Sequence, residues 1–141
     1  MKNTDLKKER DRALYLAFKK GLGDGKFATM GDAVKYVCRH PAPRFFIEPE
    51  KASIIIGRIL KGVSLINMNS NSRKMAWQLY RNYTEYLSAH PDCKLSRERI
   101  MEILVYQEAP EFYLEPQRTW KIINKERKKA REKWEKSLEP R

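Results

Sequence analysis

Ala42-Pro43-Arg44-Phe45-Phe46-Ile47-Glu48-Pro49 returns 67 residues later as Ala109-Pro110-Glu111-Phe112-Tyr113-Leu114-Glu115-Pro116. Both follow the frame A-P-x-F-[FY]-[IL]-E-P. Proline fixes φ and pushes the residue before it out of the helical region. The frame therefore predicts a rigid, extended connection carrying two aromatic rings. Pro49 and Pro116 suit the first turn of a following helix, where the missing N–H costs nothing.

The match runs outward from the frame. Thr29, Val34 and Val37 align with Ser96, Met101 and Leu104, and Ala52, Ile55 and Ile56 align with Thr119, Ile122 and Ile123. With a two-residue gap, Leu14, Tyr15 and Phe18 meet Leu79, Tyr80 and Tyr83. An apolar face repeated at one offset implies a repeated way of burying it. The chain reads as all-α, about six helices, in two degenerate three-helix repeats of helix-turn-helix-like order. Residues 1–62 form the first repeat, 63–72 a linker, 73–124 the second repeat and 125–141 a basic helical extension.

Helical periodicity places the elements. Residues 5–20 put Leu6, Ala13, Leu14, Ala17 and Phe18 on one face, and Gly21, Gly23 and Gly25 end that helix. Thr29 is an N-cap for a helix over 30–39, with Asp32 near its positive end. Ala52, Ile55, Ile56, Ile59 and Leu60 make the stripe of a helix over 49–61, which Gly62 stops. The second repeat places helices over 73–88, with Leu79, Tyr80 and Tyr83 inward, and after Ser96, with Ile100, Ile103 and Leu104 inward. A last helix spans 117–137, with Trp120, Ile122 and Ile123 closing the core.

The 141 residues carry 30 Lys and Arg against 18 Asp and Glu, a formal net charge of +12. That surplus exceeds what solubility favours and points to a polyanionic partner, nucleic acid first. The polar start of the chain argues against a secretory signal, and the two cysteines read as free thiols in a reducing, cytoplasmic setting. No apolar run is long enough to span a membrane, so no membrane partner is expected.

The best candidate for function is the outward face of the last helix. Gln117, Arg118, Lys121, Asn124, Lys125, Lys128, Lys129 and Arg131 are residue types that grip phosphate or read base edges. Arg44 and Arg39 are the contribution expected from the first repeat, whose third helix offers Ile54 and Gly57 instead, residues better suited to packing. The aromatic pairs of the two frames serve as core plugs more readily than as stacking platforms for bases. Cys38, His40, His90 and Cys93 permit a Cys2His2 zinc site by arithmetic, but the C-x-H spacing is too tight and Cys38 sits in an apolar stripe. No nucleophile with a base and an orienting partner stands out, so neither an enzyme nor a cofactor is expected.

The A-P-R-F-[FY] segment between short helices resembles small basic proteins of uncharacterised type from bacterial phages and mobile elements. The resemblance covers mainly residues 12–62 and implies such a setting, with no function or site residue to carry over. The expectation is a non-enzymatic DNA-binding protein. Its rival is a structural or adaptor subunit of a phage particle or other assembly, docking on an acidic partner through the basic helix with Trp134 as an anchor.

Overall fold

The computed structural model describes residues 3–140. It is all-helical: α1 (Asn3–Gly23), α2 (Met30–Cys38), α3 (Pro49–Leu60), α4 (Ser70–Ala89), α5 (Arg97–Leu104) and α6 (Pro116–Ser137). Local chemistry sets the boundaries. The hydroxyls of Thr29 and Ser96 accept from the backbone N–H of Asp32 and Arg99, at 3.1 and 3.2 Å. Pro49 and Pro116 open α3 and α6 behind Glu48 and Glu115. Gly62, at φ 75°, sits just past α3, in the left-handed conformation that glycine adopts freely. The segment expected as a 63–72 linker is shorter than that, because Asn69 caps α4 by accepting from Ser72 N–H at 2.9 Å.

The third helices are exchanged. Helix α6 packs on α1 and α2, while α3 packs on α4 and α5. The three-helix units in space are therefore α1–α2–α6 and α4–α5–α3. Neither residues 1–62 nor residues 73–124 close on their own third helix, so the two stretches share a core through the exchanged helices. A single core runs through both units, from Leu14 and Val37 to Leu104 and Ile123.

The exchange forces the two extended frames past each other. Ala42 and Ala109 exchange both backbone hydrogen bonds at 2.9 Å as an isolated antiparallel bridge. Phe45 stacks on Tyr113 at 6.1–6.2 Å spacing like that of Phe46 on Phe112, the two centroid separations being 6.2 and 6.1 Å. Under the alignment of the frames these two stacks interchange, and the alanine bridge maps onto itself. Phe45 and Phe112 are buried, so the rings plug the core as expected.

Four expectations about the interior need correction, the simplest being Leu60, which ends the α3 stripe but is 51% exposed. Gly21 lies within α1 and does not end it; a Cβ there would meet the Tyr36 ring at 2.6 Å and Phe27 at 2.8 Å, so the glycine permits close approach. Trp120 is 48% exposed and leaves the core to Thr119, Ile122 and Ile123. Ile103 lies outward at 40% exposure, and Met101 is the buried residue of α5 beside Ile100 and Leu104. Thr119 can be buried because its hydroxyl donates to the Glu115 carbonyl at 3.0 Å.

Exchange makes each half dependent on the other. A fragment of residues 1–62 is expected to show little helix by far-ultraviolet circular dichroism, and to regain it when mixed with residues 63–141. In the intact chain, Phe45→Ala should cost about 3–5 kcal/mol in denaturant unfolding, as for a fully buried ring that leaves a cavity.

Candidate nucleic-acid interface

Helix α6 is 22 residues long, about 33 Å at 1.5 Å per residue. Thr119, Ile122 and Ile123 fasten its first half to α1 and α2. From Arg127 to Pro140 every residue is exposed, so the second half extends beyond the body as a helix without a core of its own.

Of the site residues expected on α6, five fall on one stripe: Gln117, Lys121, Asn124, Lys128 and Arg131, at spacings of four, three, four and three. All are exposed except Asn124, which is partly covered. Asn124, Lys128 and Arg131, with Arg127, fence a shallow hollow on this face. None of the four cations Lys121, Arg127, Lys128 and Arg131 is in an ion pair among the described residues.

The other expected site residues stand elsewhere. Lys125 donates to Asp11 of α1, a carboxylate that is itself only 5% exposed and also accepts from Arg10. Its role is to neutralise a buried charge between α1 and α6. Lys129 pairs with Glu126 one turn back, at 3.3 Å. Arg118 leaves the stripe for a separate hollow, which it lines with Arg10 and the start of α4.

Arg44 is the clearest correction. It is 5% exposed, its Nε donates to the Phe45 carbonyl at 3.0 Å and its Nη2 to the Ile47 carbonyl at 3.2 Å. Its guanidinium also lies 4.3 Å from the Tyr106 ring centroid. An arginine bonded to its own backbone and lying on an aromatic face holds the first frame in shape and is withdrawn from the outer surface, with its Nη1 left without a hydrogen-bond partner.

Sequence reasoning missed a second basic surface. Arg39, Arg73, Lys74, Trp77 and Arg81 surround a cleft of about 650 Å³ beside Glu111 and Tyr113. The signal was present as Arg73, Trp77 and Arg81 at four-residue spacing on α4, opposite its buried Ala76 and Leu79. Burial, and after it the nearby Glu111 carboxylate, push the Tyr113 phenol up to about 12. No three His, Cys, Asp or Glu side chains gather to hold a metal among the described residues. Cys38 directs its Sγ at the Thr119 hydroxyl, 3.3 Å away, and His90 stacks on Tyr86. No described helix is long and apolar enough to cross a membrane.

Arg44→Ala should lower stability by about 2–4 kcal/mol, since two charged hydrogen bonds to buried carbonyls are lost together, whereas Lys121→Ala should leave the melting midpoint in place. The Tyr113 phenol is neutral when protonated and its folded pKa lies above the unfolded value. Its contribution to stability is therefore full below about pH 10 and is lost as pH rises toward 12. Alkaline titration of phenolate absorbance should show one tyrosine ionising late, and Tyr113→Phe should remove that step. A Tyr113 that ionises with the exposed tyrosines would refute its burial beside Glu111.

Compared with protein-family models, curated proteins and solved structures, the chain gives no match, and the meaning of this surface rests on its own residues.

Proposed function

We propose that the protein binds nucleic acid, duplex DNA first, through the outward stripe of α6, without catalysing a reaction. The observation that carries this reading is the row Lys121, Lys128 and Arg131, with Arg127 beside it, free of ion pairs among the described residues on the exposed face of α6. Cations left without carboxylate partners on a chain of net charge +12 repel one another, and a polyanion relieves that repulsion while releasing its own counterions. Gln117 and Asn124 sit among them and supply donors and acceptors suited to base edges. Affinity would come chiefly from phosphate contacts.

A second reading follows from the tip of α6. Trp134 and Leu138 are 63% and 64% exposed, apolar surface that a duplex does not require. It fits docking of the extension against an acidic protein in a larger assembly.

Binding of the nuclease-treated protein to labelled duplex DNA across a salt series separates the two. The triple change Lys121→Ala, Lys128→Ala, Arg131→Ala is expected to weaken binding and to flatten the log–log salt dependence by about 0.9 for each phosphate contact removed. Unchanged affinity and slope would remove α6 as the interface. Loss of binding to a protein partner on Trp134→Ala, with DNA affinity absent throughout, would support assembly instead.

A further inference from the structure

The cleft on α4 lies apart from the α6 stripe and shares none of its residues. One wall is the α4 face carrying Arg73, Trp77 and Arg81, and the other is the second crossing frame at Glu111 and Tyr113; Arg39, just past α2, stands at its edge.

Trp77 is the first distinguishing feature. Its indole is 52% exposed within a concave surface, braced by the Tyr80 ring at 5.8 Å and 87°, edge to face. A tryptophan held by its neighbour in this way offers a flat, preset apolar surface to the cleft. The cations are the second. Lys74 is paired with Glu111 at 2.8 Å, but Arg39, Arg73 and Arg81 have no carboxylate partner among the described residues. The cleft thus holds three uncompensated guanidiniums around one ring.

The backbone supplies a third. Tyr113 is the only described residue other than glycine with positive φ, at 57°. For a tyrosine that conformation is strained, and the surrounding structure must hold it. The first frame has no such strain at its aligned residue, Phe46. There Arg44, aligned with Glu111, is folded inward onto Tyr106, aligned with Arg39. One half turns its own arginine onto the aligned tyrosine, while in the other the aligned Glu111 pairs with Lys74 and leaves Arg39 without a carboxylate partner among the described residues.

We propose that this cleft binds a nucleoside phosphate with its base unpaired, the base stacked on Trp77 and the phosphate held by Arg73, Arg81 and Arg39. A planar π-system and an anion are the two chemistries on offer, and guanidinium forks match phosphate oxygens in pairs. A single strand or a free nucleotide presents the same unit. A duplex does not, because its bases are stacked on each other. The proposal goes beyond the α6 reading and stands independently of it.

The test uses the full chain with Trp120→Phe and Trp134→Phe, leaving Trp77 as the one tryptophan, excited selectively over the seven tyrosines. Adenosine monophosphate, hexadeoxyadenylate and hexadeoxythymidylate are titrated at low salt. Saturable quenching is expected, weakened about tenfold by Arg73→Ala with Arg81→Ala, at an unchanged melting midpoint. Arg39→Ala, outside α4, gives the same readout should the double variant unfold. Quenching by oligonucleotides alone assigns the site to single strands; quenching by the mononucleotide as well assigns it to nucleotides in general. Neutralising Lys121, Lys128 and Arg131 should leave this quenching in place even if duplex binding disappears. The proposal fails if no titrant quenches Trp77 saturably, or if quenching survives the arginine changes and follows the α6 variant instead.

Discussion

The pair of hydrogen bonds between Ala42 and Ala109 is where the whole arrangement is decided. Each extended frame delivers its third helix to the opposite unit, so the frames must cross, and they cross at aligned residues. Alanine is what the crossing tolerates, since both residues are 1% exposed and lie backbone to backbone. The flanking prolines keep the strands from coiling before they have passed each other. Beyond the bridge, the stacks of Phe45 on Tyr113 and Phe46 on Phe112 fill the volume that the crossing encloses. Weakening this crossing would loosen α3 and α6 together, because each depends on it for its position.

Much of this architecture was legible in the sequence, and for local reasons. The Thr29 and Ser96 caps, the opening prolines and Gly62 act through atoms a few residues apart, so sequence order alone reveals them. The apolar stripe of α3 was equally plain. What it packs against was not, because a stripe of Ala52, Ile55 and Ile56 is buried as well by α4 and α5 as by α1 and α2. Hydrophobic periodicity states that a face is covered and leaves the covering helix unnamed. The exchange is a property of distant contacts and has no period.

The misplaced residues share a different cause. Arg44 and Lys125 were counted as surface cations by residue type, yet each has a partner only the fold supplies: the carbonyls of Phe45 and Ile47 for one, Asp11 for the other. Trp120 groups with Ile122 and Ile123 by helical position, yet Thr119 is the residue turned to the core, its hydroxyl satisfied by the helix itself. The stripe Gln117, Lys121, Asn124, Lys128 and Arg131 was readable because helical spacing alone defines it. The α4 cleft was not, since it is closed on one side by Pro110, Glu111 and Tyr113 of a frame whose rings read as a plug.

The two three-helix units differ most where they face outward. Lys121 and Asn124 of α6 align with Ile54 and Gly57 of α3, and Ile54 is 58% exposed while Gly57 is closed over by the Arg97 guanidinium. Of the stripe's cations only Lys128 has a basic counterpart there, Lys61 at the end of α3. Helix-turn-helix dimers read two half-sites because both copies present the same helix, and their operators are palindromic as a result. Here only one of the two third helices carries the cationic stripe. A duplex held by α6 of one chain would meet a single reading element, so any two-fold symmetry in the bound sequence would require a second copy of the chain, and the opposite unit would be free to serve as a brace that fixes the angle of α6 through the crossing frames.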